Sequence, residues 1–101
     1  MGILSLLFGN KTKVDLGELI NNGAQIIDVR STAEYKNGHL KKSINIPLDK
    51  LSSSFRKISK DKPVITCCAS GMRSSSAKSV LEKAGYDVHN GGSWTVLRKF
   101  Q

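Results

Sequence analysis

From Val14 onward the chain switches repeatedly between two hydrophobic periods, one of short apolar runs and one of spaced apolar residues. Gln25–Val29 and Val64–Cys67 are short apolar runs of strand type, and Ser43–Ile46 reads as extended until Pro47 ends it. Tyr86–Val88 predicts a last strand, followed by a turn at Gly91-Gly92. Between the strands lie helix signals. Asp15 with Glu18, and Ser31 with Glu34, have the spacing of N-terminal capping boxes, with stops at Asn22-Gly23 and Gly38. Leu48, Leu51, Phe55 and Ile58 predict a third helix over 48–57. Ala77, Val80, Leu81 and Ala84 form the buried stripe of a helix from Arg73 to Ala84, closed by Gly85. Ser93 opens a C-terminal helix.

Strands that alternate with helices and lack hairpin turns predict a parallel sheet with helices on both faces, a small three-layer α/β domain. It is expected over residues 14–101, with 1–13 as an N-terminal tail of an apolar octet and Gly-Asn-Lys-Thr-Lys. A chain of 101 residues suits one domain and is long enough to bury a core without disulfides or metals as staples. The longest apolar run, Ile3–Phe8, is far short of the roughly 20 residues of a membrane span. It also lacks the flanks of a signal peptide, so a cytoplasmic location is expected.

The two cysteines, Cys67 and Cys68, are adjacent, which disfavours a disulfide between them, and neither His39 nor His89 stands at zinc-site spacing from them. No metal or cofactor is expected. The net charge of +8 favours anionic partners. The lysines are scattered without interleaved aromatics, which argues against nucleic acid.

Candidate chemistry gathers where a parallel sheet binds ligands, beyond the carboxyl end of a strand. Cys68 follows the buried run 64–67, and Ala69, Ser70, Gly71 and Met72 lead into a helix at Arg73. A tight loop there turns backbone N–H groups inward, and the helix start adds its positive end. Such a cradle holds an oxyanion or a thiolate. A thiol of pKa 8.5 is only about 3% ionised at pH 7, and lowering it by two units takes about 2.7 kcal/mol, which a few N–H dipoles and a guanidinium can supply. Gly71 suits the turn, and Arg73 is a candidate bidentate receptor for an anionic substrate. Cys67, by contrast, reads as a small buried hydrophobe, and Ser70, Ser74, Ser75 and Ser76 as loop and cap residues.

Three stretches, I-I-D-V-R-S-T-A-E-Y-K-N-G-H-L-K-K-S-I-N-I-P (26–47), C-A-S-G-M-R-S (68–74) and A-G-Y-D-V-H-N-G-G-S-W (84–94), resemble in order and spacing the rhodanese-like domain. The resemblance covers about Val14 to Phe100. It implies a central five-stranded parallel sheet, a six-residue active-site loop from Cys68 to Arg73, and sulfurtransferase chemistry with Cys68 as nucleophile. The thiolate would take sulfur from a small anionic donor such as thiosulfate, releasing sulfite, and pass it to cyanide, a thiol or an acidic protein acceptor. Asp28 and Arg30 would then be supporting residues that tie neighbouring loops together, with Glu34 as a partner for Arg30. His39, Gly91, Gly92 and Trp94 would be structural. One departure stands out: members efficient with thiosulfate often carry a basic residue after the cysteine, where this chain has Ala69.

Two other readings compete. Counted from Cys67, the text is Cys-x5-Arg, the phosphate loop of cysteine-dependent phosphatases and arsenate reductases, though Thr66 stands where they carry histidine. Alternatively, the domain is a carrier that receives persulfide sulfur and hands it on.

Overall fold

The computed structural model describes residues 14–101. The N-terminal tail read from the sequence, residues 1–13, lies outside the described residues. Four parallel strands, β1 (Gln25–Asp28), β2 (Ser43–Asn45), β3 (Val64–Cys68) and β4 (Val88–Ser93), form one sheet in the order β2-β1-β3-β4. The expected fifth strand is not found among the described residues. Only four segments carry a strand pattern in the sequence itself, and the fifth was implied by resemblance alone.

The helices are α1 (Leu16–Asn21), α2 (Thr32–Lys36), α3 (Met72–Lys83) and α4 (Trp94–Leu97). Among the described residues no helix is long and apolar enough to cross a membrane. Capping is as the sequence predicts at three starts. The Asp15 carboxylate accepts from the Glu18 N–H, Ser31 and Glu34 close a reciprocal box, and Ser93 accepts from Thr95 N–H. The predicted helix over 48–57 is instead two 3-10 segments, Leu48–Ser53 and Phe55–Lys57, interrupted at Ser54. Serines at 52–54 have weak helix preference, and the Ser53 and Ser54 hydroxyls bind back to the Lys50 carbonyl, competing with the helical ladder.

β3 is buried along its whole length, and its side chains alternate between two core layers. Val64 and Cys68 join Ile27, Val29, Leu51, Ala77, Leu81 and Val88 beneath α3 and the 3-10 segments. Ile65 and Cys67 join Ile26, Leu40 and Leu97 on the opposite face, where α1, Trp94 and Phe100 pack.

The last strand begins later than predicted, at Val88, and Gly91-Gly92 lies inside it. Thr66 pairs with Asn90 and Cys68 with Ser93, so β4 carries one residue more than β3 over this stretch. The extra residue is a bulge, and Gly92 takes it up at φ +78°, a left-handed value that costs glycine little. Gly91 is required for space. A Cβ there would lie 2.8 Å from Ile65 Cγ2, 2.9 Å from Leu97 Cδ1 and 3.0 Å from the Thr66 carbonyl. Gly91→Ala is therefore expected to destabilise the domain by about 1–3 kcal/mol through overpacking, read as a lower denaturant midpoint. An unchanged midpoint would mean that β3 and α4 are not locked together at this point.

Candidate active site

β3 ends at Cys68, and α3 begins four residues later at Met72. The intervening chain turns through Gly71 at φ +105°, and its Cβ position lies 3.5 Å from the Gly92 Cα, so two glycines meet where the loop crosses β4. The turn brings the Gly71 N–H to 2.9 Å from the Cys68 Sγ and the Ser74 N–H to 3.4 Å, with the Ser74 Oγ at 3.6 Å. Burial pushes the Cys68 thiol up. The Ser74 hydroxyl and the N–H groups of Ser74, Gly71 and Ser70 together outweigh it and hold the thiol below its ordinary value. The sulfur is fully covered, while Ala69, Ser70 and Met72 above it are exposed.

Cys67 is the opposite case. It points into the other core layer, and burial, helped by the Asp28 charge and opposed by Arg30, pushes its thiol up to about 12. A thiol so placed is no nucleophile at neutral pH, and the Cys-x5-Arg reading of the loop has no support in this geometry. Both cysteines are free, and their opposed directions along one strand keep them apart.

Ser74 was missed in the sequence, read as one of several loop and cap serines. It is fully buried and is the hub of the loop. Its hydroxyl oxygen lies 2.6 Å from the Asn90 Oδ1 and 3.0 Å from the Gly71 carbonyl, two acceptors within reach of its one proton, and its own carbonyl accepts from Thr66 Oγ1 at 2.9 Å. Asn90, also missed, clasps loop to sheet. Its Oδ1 additionally accepts from the Gly92 N–H at 2.9 Å, and its Nδ2 reaches the Gly71 carbonyl at 3.4 Å. The heptapeptide signal C-A-S-G-M-R-S contained Ser74, and its place at the third residue of the helix, facing back over the loop, was the clue available.

Asp28 and Arg30 lie together at the end of β1. Both side chains are buried, with Nη2 to Oδ2 at 2.7 Å and Nε 3.0 Å from both carboxylate oxygens. Arg30 also donates to the Gly38 carbonyl at 2.8 Å and lies 4.6 Å from the Trp94 ring, whose other neighbour is Arg98 at 4.9 Å. This is a brace between loops. His39 stacks on Tyr35 at 3.8 Å and holds its carbonyl through Nδ1, a structural contact.

Glu34 is not the side-chain partner of Arg30, which touches only its carbonyl at 3.4 Å. Its carboxylate takes Arg73 instead, Nη1 to Oε1 at 2.7 Å and Nη2 to Oε2 at 3.0 Å. Arg73, the expected receptor for an anionic substrate, thus has both terminal nitrogens of its fork on Glu34. The Arg73 hydrogen bonds, followed by the Ser31 N–H, hold the Glu34 carboxyl down at about 2. Both side chains are more than a third exposed, and solvent screening limits such a pair to about 1 kcal/mol or less.

The rhodanese-like domain family matches residues 12–94, and the chain belongs to it. The YqhL protein of Bacillus subtilis is 42% identical over 62 residues, covering 61% of this chain and 49% of that protein. The thiosulfate sulfurtransferase GlpE of Shewanella oneidensis is 29% identical over 63 residues, 62% of either chain. Among solved structures, a rhodanese-related protein of Thermoplasma volcanium superimposes with a TM-score of 0.73 at 29% identity, covering 84% of each chain. The chain thus spans about half to three-fifths of the length of the curated relatives it matches.

Two predictions follow from this geometry. Ser74→Ala removes the only hydroxyl near Cys68 in the network above and should raise the Cys68 thiol pKa, seen as a shift of the thiolate ultraviolet absorbance to higher pH; no shift would mean the backbone N–H groups suffice. The Glu34 carboxyl is depressed on folding, so its contribution to stability is fully present above the unfolded pKa near 4.5 and is lost as pH falls toward about 2. Acid titration followed by NMR of the Glu34 side chain should find its midpoint in that window, and a midpoint near 4.5 would mean that the Arg73 pair does not persist in solution.

Proposed function

We propose that this chain is a sulfurtransferase in which Cys68 carries sulfur as a persulfide. The observation that supports it is the convergence of two backbone N–H groups and the Ser74 hydroxyl on one sulfur, at the joint between a buried strand and the start of α3. Membership in a family that includes the thiosulfate sulfurtransferase GlpE gives the same direction.

In the first step the Cys68 thiolate attacks the outer sulfur of a donor. With thiosulfate, the new bond joins Cys68 Sγ to that sulfur, the old sulfur–sulfur bond breaks, and its electron pair leaves on sulfite. The outer sulfur of the resulting persulfide carries the charge, which the N–H groups that held the thiolate continue to offset. In the second step a nucleophilic acceptor, cyanide in an assay or a thiol, takes the outer sulfur and Cys68 returns as thiolate. Two half-reactions through a covalent enzyme imply ping-pong kinetics. Because the sulfur is covered, a donor reaches it where the exposed side chains of Ala69, Ser70 and Met72 move aside. The net charge of +8 favours acidic surfaces on any protein acceptor.

The test is the intact mass of the reduced protein before and after a sulfane sulfur donor, with peptide mapping. The expected result is one added sulfur on Cys68, removed by cyanide, absent in Cys68→Ser and retained in Cys67→Ser. An adduct on Cys67, or phosphate release from an aryl phosphate without any sulfur adduct, would overturn the reading.

A further inference from the structure

Resting on that sulfurtransferase reading, we infer that Glu34 is a specificity-determining residue, which occupies Arg73 and so turns the site away from dianionic donors toward persulfides of thiols. Three observations carry this inference. The guanidinium of Arg73 is the one cationic group the catalytic loop itself supplies, since residues 68–72 are Cys, Ala, Ser, Gly and Met. Glu34 meets it with two hydrogen bonds of 2.7 and 3.0 Å, in the fork geometry that an incoming thiosulfate or sulfite oxygen pair would need. The Gly71 and Ser74 N–H groups point at the Cys68 sulfur itself, so they serve the thiolate and are not a separate receptor for a sulfonate group.

A dianion entering this loop meets a thiolate and a cation that is already neutralised. The protonated form of a thiol persulfide, R–S–SH, which is the electrophile a thiolate attacks, presents an uncharged sulfane sulfur and needs no such receptor. The step balances without an added oxidant or reductant: Cys68–S⁻ attacks the outer sulfur, the Cys68 S–S bond forms, the donor's own sulfur–sulfur bond breaks, and R–S⁻ leaves with the electron pair while the proton stays on the transferred sulfur.

Glu34 also offers a clean substitution. Its Oε1 accepts the Ser31 N–H at 3.0 Å in the box that starts α2, and glutamine serves the same box through its amide oxygen. Glu34→Gln therefore keeps the helix start and removes the charge that holds Arg73.

The experiment measures the second-order rate constant for loading Cys68, by intact mass over time, from thiosulfate and from glutathione persulfide. The wild-type protein is expected to load faster from the persulfide. In Glu34→Gln the thiosulfate rate constant should rise by up to about fivefold, the most that releasing a solvent-screened pair can return, so the ratio of the two donors shifts toward thiosulfate. That gain should shrink as salt is added and vanish in the Glu34→Gln, Arg73→Gln double variant. Ala69→Arg adds an unpaired guanidinium at an exposed loop position with the box untouched, and it too should raise the thiosulfate rate constant. A wild type that already favours thiosulfate, or donor ratios unmoved in both Glu34→Gln and Ala69→Arg, would overturn the role given to Glu34. Failure to load Cys68 from either donor would instead overturn the sulfurtransferase reading beneath it.

Discussion

A β-strand sends successive side chains to opposite faces, and when both faces are buried that rule admits no exception. β3 is such a strand, and Cys67 and Cys68 stand at its end. One sulfur is committed to the layer beneath α1 and α4, the other to the layer beneath α3, where the chain turns back over it. Two residues of identical chemistry acquire opposite character from this alternation alone. Burial without donors pushes one thiol far up, and burial with four donors brings the other down. The register also fixes which thiol the helix start can reach, because α3 belongs to only one of the two layers.

The elements around this strand are arranged to hold the turn. The bulge at Gly91-Gly92 displaces Ser93 relative to β3, while Asn90, still in register with Thr66 just before it, reaches both the Gly71 carbonyl and the Ser74 hydroxyl with its amide. On the other side, the Asp28–Arg30 pair and the Asn45 amide, which donates to the Asp28 and Arg30 carbonyls at 3.0 Å each, hold the end of β1. A buried ion pair of this kind adds little net stability but is costly to break, so its value lies in fixing where neighbouring loops sit. α2 sits between these braces and the loop, and its third residue, Glu34, serves both its own helix start and Arg73.

Much of this was legible in the sequence, because local rules decide it. The caps at Asp15, Ser31 and Ser93, the buried run of β3, and the glycine that turns the loop into α3 all depend on near neighbours. What escaped depends on register and on distant partners. The serine-rich stretch after Leu51 weakened a helix that the apolar spacing predicted. The bulge in β4 looked like a turn, since two glycines read alike in either. Asn90 reaches the loop only through the pairing of β4 with β3, and Glu34 lies 39 residues from Arg73 on a separate helix. Spacing within the motif gave no sign that Arg73 pairs with a residue outside it.

The donors nearest the Cys68 sulfur are mostly backbone N–H groups, and backbone is the one part of a chain that substitution leaves in place. Side chains at 69, 70 and 72 face solvent and take no part in that cradle. Selection can therefore rewrite the rim, in size, charge or polarity, without disturbing the donors that surround the Cys68 sulfur beneath it. The fold separates what must stay constant from what is free to diverge, and point mutation can reshape the rim while the environment of the Cys68 sulfur is inherited intact.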